Sequence, residues 1–217
     1  MNKFLCVLSL PILLFTISCS NEHKDVHKQE KLQKIDQKAK IIVDCNYTFE
    51  EATSGAKAPD SVLAELKLIK VLYYSTDGKI HAGQILTNRR IADIIQQMFE
   101  FMLHEKFPVA RAIPIVKYHW NDNLSMLANN TYSFCYRNIS YSKHARGLAI
   151  DINPYFNPVI WKKGYEYRRN KPIGAHYDPA IPGTFSSSNP VVIKFEEFGM
   201  RWGHSFTRNY DNHHFEK

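Results

Sequence analysis

The sequence predicts an α+β domain, and three observations carry that expectation. Apolar runs at 68–74 and 81–87 flank Asp77-Gly78, a strand-turn-strand pattern. Ile91, Ile94, Ile95, Met98, Phe101 and Met102 then recur at helical spacing. Further on, Leu148, Ile150 and Ile152 alternate with small or polar residues, the period of a strand with one buried face.

Taken in order, Asn88 caps the helix, its apolar stripe is a core face, and Pro108 is expected to stop it. Residues 113–116 are expected to form a short strand and 123–129 a short helix carrying Ser125 and Met126 toward a site. After the strand 148–152 comes a long stretch, 154–190, rich in proline, tyrosine and cations. Loops this long are functional or disordered. Because it starts three residues after Asp151, it is expected to wall a cleft, its aromatics and cations meeting a substrate; a mobile surface flap is the alternative. Ser188 or Asn189 caps a second helix, 191–198, with Pro190 in its first turn and Gly199 at its end. A closing strand delivers Asp211 and His214.

The chemistry is concentrated in Ser142-Lys-His144-Ala-Arg-Gly147-Leu-Ala149-Ile-Asp151 and Asp211-Asn-His-His214-Phe-Glu216. Zinc accepts imidazole nitrogen and carboxylate oxygen, and catalytic sites keep three protein ligands with a fourth position for water. His144, Asp151 and His214 make such a set. Peptide cleavage also needs a group that collects a proton and passes it to the leaving amine, and Asp211, three residues before His214, is the candidate. His213 adjoins His214 but in a strand would point the opposite way. His176 and His204 fall in flanking loops, where supporting the site, facing a substrate or simple exposure are open to them, and simple exposure is the favoured reading.

These residues resemble the zinc D-alanyl-D-alanine peptidases, the group that includes the vancomycin-resistance D,D-peptidases and phage L-alanyl-D-glutamate endopeptidases. Their shared pattern is Ser-x-His-x-x-Gly-x-Ala-x-Asp, followed later by an acid-x-x-His, and both halves are filled here. The resemblance extends through Asp122-x-x-Ser125-Met126, Asn129-Asn130-Thr131, Phe134-Cys-Tyr-Arg137, Asn153-Pro154, Asn157-Pro158 and Phe198-Gly-Met-Arg201-Trp202-Gly203. It implies a single α+β domain with a central antiparallel sheet, also resembling the hedgehog signalling domains. It further implies zinc on His144, Asp151 and His214, Asp211 as general base and then acid, and peptidoglycan stem peptides as substrate. Arg137 matches an arginine that holds substrate or oxyanion, though a structural ion pair is the competing role. D-alanyl-D-alanine carboxypeptidase activity is the leading expectation. L-alanyl-D-glutamate endopeptidase activity and a non-catalytic zinc-stabilised cell-wall-binding module are the alternatives, and retention of Asp211 favours an enzyme.

The 217 residues, 44% of them hydrophobic, suffice for one globular domain, expected over 41–217. Lys3 followed by an apolar run from Phe4 to Ile17 has the layout of a secretory signal and is too short to span a membrane. It ends at Ser18-Cys19, so 1–18 reads as a lipoprotein-type signal and Cys19 as the lipid-bearing membrane anchor, although Thr16 departs from the usual leucine. An ordinary cleaved signal is the alternative. Residues 19–40, charged and without a useful apolar stripe, read as a tether. The expected location is the cell envelope or periplasm, membrane-anchored. A net charge of +7 suits polyanions in general. Export and the absence of any recognition motif argue against nucleic acid. Cys45 and Cys135, which remain after Cys19, either pair in an oxidising compartment or stay as buried thiols.

Overall fold

The structure is a computed structural model that describes residues 41–217; the signal, Cys19 and the tether lie outside the described residues. Among those described, no helix is long and apolar enough to cross a membrane.

The first layer is a hairpin. Strand β1 (Ile42–Val43) precedes helices α1 (Phe49–Thr53) and α2 (Asp60–Leu63), then β2 (Leu66–Tyr74) and β3 (Ile80–Asn88). β2 and β3 pair antiparallel around the Asp77-Gly78 turn, with β1 parallel on the outer edge of β3. Helix α3 (Arg89–His104) starts where the sequence places its cap, the Asn88 side chain accepting from the Arg90 N–H at 3.0 Å. It ends at His104, three residues before Phe107. Its buried stripe is Ile91, Ala92, Ile95, Met98, Phe99 and Met102, with Ile94 and Phe101 half-buried at its margin. This stripe packs on the hairpin and on the second sheet to form one core.

Strand β4 (Arg111–Ala112) pairs parallel with β5 (Asn130–Thr131), and α4 (Asp122–Leu127) lies between them. The expected strand at 113–116 is not formed: a 3-10 turn spans Ile115–Tyr118. Pro114 has no N–H to give a ladder, and Asn130 already satisfies Ile113, accepting from its N–H at 3.0 Å and donating to its carbonyl at 2.9 Å. Ser125 also serves Asn130, as acceptor from its Nδ2, so of the pair carried by α4 it is Met126 that reaches the cleft.

The second sheet carries the chemistry. It holds β6 (Ala149–Asp151), β8 (Arg201–Trp202) and β10 (His214–Glu216) in the order β6-β10-β8, all antiparallel. Its register sets Asp151 opposite His214 and Ile150 opposite Phe215. Because strand side chains alternate, Ile150 and Phe215 enter the core, fully buried, while Asp151 and His214 share the other face. Phe215 stacks on Phe195 of helix α5 (Pro190–Glu197) with ring centroids 4.2 Å apart, and burial of such a side chain contributes roughly 1.5–3 kcal/mol. Asn189 is the residue that caps α5. The remaining pair is β7 (Val159–Trp161) with β9 (Asn209–Asp211). The strands of the described residues are thus shared among two three-stranded and two two-stranded sheets, an α+β arrangement. Cys45 and Cys135 are both free thiols. Burial pushes Cys45 up to about 11 and Cys135 up to about 12, which leaves neither a thiolate nucleophile near neutral pH.

Candidate metal centre

His144 opens a short 3-10 turn, His144–Arg146, which Gly147 closes in the left-handed region at φ +65°. A side chain at 147 would fall 2.8 Å from the backbone nitrogen of Asn88, so glycine alone lets the turn sit against the start of α3. Ser142 steadies the turn by accepting from the Ala145 N–H. His144, Asp151 and His214 then converge, all buried.

Their facing atoms form a nearly equilateral triangle. His144 Nε2 is 3.0 Å from Asp151 Oδ1 and 3.0 Å from His214 Nδ1, and His214 Nδ1 is 2.9 Å from Asp151 Oδ1. The far nitrogen of each ring is committed elsewhere. His144 Nδ1–H donates to the Ser133 carbonyl at 2.6 Å, and His214 Nε2–H donates to Glu216 Oε2 at 3.2 Å. Both imidazoles therefore turn lone pairs, with a carboxylate oxygen, toward one point. Three acceptors so close in a buried site repel unless a proton or a metal cation lies among them. The titration behaviour has the same origin. Burial alone would lower the pKa of His214, yet hydrogen bonds to Asp151 and Glu216 outweigh it and hold the imidazolium up to about 10. Burial would raise Asp151, but the His144 and His213 rings hold it well below the usual carboxylate range. Two imidazoles and one carboxylate within ligand reach, with the outer nitrogens oriented by oxygen acceptors, fit zinc.

The triad lies in a cleft of about 910 Å³ whose lining includes Asp122, Arg137, Asp211 and His213. All five residues singled out from sequence therefore line one cavity. Asp211 is brought there by β9, and its Oδ1 is buried without a hydrogen-bond partner. His213 Nε2 is 3.1 Å away, near enough for an ion pair but not aligned as a hydrogen bond. Gly203 makes room: a Cβ there would meet the Asp211 carbonyl at 2.7 Å and the His214 Cβ at 3.1 Å.

Arg137 faces the cleft and is also an ion-pair partner, its Nη1 3.5 Å from Asp122 Oδ2, while Nε is buried without a partner. Asp122 in turn accepts from the Tyr132 hydroxyl, and Tyr132 packs beside His144 with ring centroids 5.2 Å apart.

Two residues of the site were not read from the sequence. His213 does not point away: residues 212–213 form the turn between β9 and β10, so period-two alternation does not apply, and its ring lies between Asp211 and Asp151, 3.6 Å from Asp151 Oδ2. Its Nδ1–H donates to the Asn157 carbonyl at 2.7 Å. Glu216 orients His214; the signal available for it was its place two residues along the same strand, hence on the same face. His204 stacks on Trp202 and bonds Asn212 outside the cleft, and His176 is exposed. The 154–190 segment does wall the cleft, through Val159, Trp161 and residues 168–173.

Comparison with known proteins agrees with this chemistry. Residues 137–217, the segment holding all three ligands and Asp211, match the family described as D-alanyl-D-alanine carboxypeptidase. No curated protein and no solved structure gives a significant match. By the match over residues 137–217 and the group converging within it, this chain is a zinc metallopeptidase whose C-terminal segment is similar to the D-alanyl-D-alanine carboxypeptidase family.

Proposed function

We propose that this protein is an exported, membrane-anchored D-alanyl-D-alanine carboxypeptidase that trims peptidoglycan stem peptides, with zinc held by His144, Asp151 and His214. The observation that carries this reading is the convergence of His144 Nε2, Asp151 Oδ1 and His214 Nδ1 at one point inside a cleft that also holds a buried, unpartnered carboxylate oxygen on Asp211. The β6-β10-β8 sheet is antiparallel and bears Asp151 and His214, which supports reading it as the sheet that carries the site. A signal at 1–18 with a lipid on Cys19 supplies the envelope location.

Bound by His144, Asp151 and His214, zinc would supply Lewis acidity there for acidifying water and polarising a carbonyl. The chain does the rest. Asp211, with one oxygen free of any donor, takes the proton of the attacking water and returns it to the leaving amine. His213 stands against Asp211 and limits where that carboxylate can swing. Arg137, held by Asp122, directs its guanidinium at the negative charge that develops on the carbonyl oxygen, or at a substrate carboxylate. Ser133 and Glu216 fix the tautomers of the two ligand rings.

The test is mass spectrometry of muropeptides incubated with the zinc-loaded protein, beside a chelator-treated sample. Chelator-sensitive loss of a terminal alanine is expected. Release of a peptide lacking its first L-alanine would assign the L-alanyl-D-glutamate endopeptidase activity instead, and intact muropeptides in a zinc-replete sample would favour a binding module.

A further inference from the structure

The cleft lining is of mixed charge. Asp122, Asp211 and Glu216 line it together with Arg137, Lys143 and the candidate metal ligands, whereas the charged residues that line it from the wall formed by residues 159–173 are all cations, Arg168, Arg169 and Lys171. Some cations elsewhere in the fold have carboxylate partners, among them Arg201 with Glu216 at 2.9 Å and Lys194 with Glu197 at 2.9 Å. Among the described residues, no carboxylate comes within the 4.0 Å of an ion pair to Arg168, Arg169 or Lys171.

This wall is an ordered finger. Val159 and Lys171 exchange both backbone hydrogen bonds, at 2.7 and 3.2 Å, closing the segment at its base. Trp161 Nε1–H donates to the Arg169 carbonyl at 3.0 Å, and the Arg168 guanidinium lies over the Trp161 ring at 4.8 Å. Arg168 Nε–H donates to the Tyr167 hydroxyl at 3.3 Å, which leaves the terminal N–H groups of the guanidinium, a pair able to grip a carboxylate through two parallel hydrogen bonds. Part of the ordering cost of binding is already met by the stack.

We infer that the finger bearing Arg168, Arg169 and Lys171 is a specificity subsite for a substrate carboxylate remote from the scissile bond, so that the preferred substrate is an acidic peptide. The inference rests on the peptidase reading and narrows its substrate class. The peptide lies with its scissile bond toward His144, Asp151 and His214 and its anionic side group toward the finger. Arg137, on the wall with Asp122, serves the reacting end and is not part of this subsite.

The experiment uses the full, zinc-loaded chain and two probes, a stem peptide with free side-chain carboxylates and the same peptide with those carboxylates amidated. Wild type is expected to favour the acid form by about tenfold in kcat/KM, through KM, the effect of one charge-assisted pair in a half-exposed cleft. Arg168→Gln/Arg169→Gln is expected to abolish that preference by weakening the acid form alone, and Lys163→Gln, off the cleft, to preserve it. Equal loss on both peptides, or a preference that survives the double substitution, would overturn the subsite. If wild type cleaves neither peptide, the peptidase reading fails by itself. Calorimetry then decides the subsite: tighter binding of the acid peptide to wild type than to the double variant upholds it, and equal or absent binding overturns it.

Discussion

Glu216 Oε2 lies 3.2 Å from His214 Nε2, on the ring edge opposite the one that faces Asp151. That hydrogen bond, against some cost of burial, holds the Glu216 carboxyl below its ordinary range, so it is an anion wherever the protein is folded near neutral pH. It makes His214 a better ligand by fixing the tautomer and adding electron density to the ring. Glu216→Ala is expected to cost about 10–100-fold in zinc affinity while leaving the fold intact. Competitive titration against a chromogenic chelator measures it, and an unchanged affinity would remove Glu216 from the site.

Zinc binding is expected to expel a proton. With no metal, His214 titrates near 10, above its ordinary 6.5, so its proton stabilises the folded state fully below about 6.5 and that contribution is lost as pH rises through 10. Near pH 8 the metal therefore displaces about one proton per chain. Calorimetry in buffers of different ionisation enthalpy counts it. By the same linkage, the Tm of the metal-free protein is expected to fall between pH 7 and 10, and that of the zinc form to hold.

Asp211→Asn and His144→Ala separate turnover from metal retention. The first keeps the three ligands and removes the proton acceptor, so zinc stays near one per chain while kcat falls about 10²–10⁴-fold. The second removes a ligand, so zinc content itself falls. Metal analysis and kinetics on the same preparations give the answer, and full activity of Asp211→Asn would take that residue out of the mechanism.

Gly203→Ala tests the packing behind the site. The new Cβ would collide with the Asp211 carbonyl and with Cβ atoms of Asp211 and His214. Overpacking of this kind costs about 1–3 kcal/mol. A lower Tm is expected together with weakened zinc binding and activity, because the strand pair that moves carries both residues.

The convergence of His144, Asp151 and His214 was legible because a metal site demands residue types at tight spacing: an imidazole on a glycine bend, then a carboxylate in an alternating strand. The β2–β3 hairpin, α3 and α5 were legible because turn, cap and apolar period agree at Asp77-Gly78, Asn88 and Asn189-Pro190. What failed were the non-local substitutes for regular structure. Ile113 has its backbone satisfied by the side chain of Asn130, seventeen residues away, and no pattern around 113–116 reveals that. His213 went astray because it sits in the two-residue turn 212–213, where the alternation that otherwise predicts direction does not hold.

The pairing of β7 with β9 sets Val159 opposite Asp211. The finger begins on the first of these strands and Asp211 ends the second. If the finger selects substrate and Asp211 carries the proton, a ligand that shifted the finger would bear on that carboxylate through a shared ladder of hydrogen bonds. Variation in the finger would then retune catalysis without touching a single catalytic side chain.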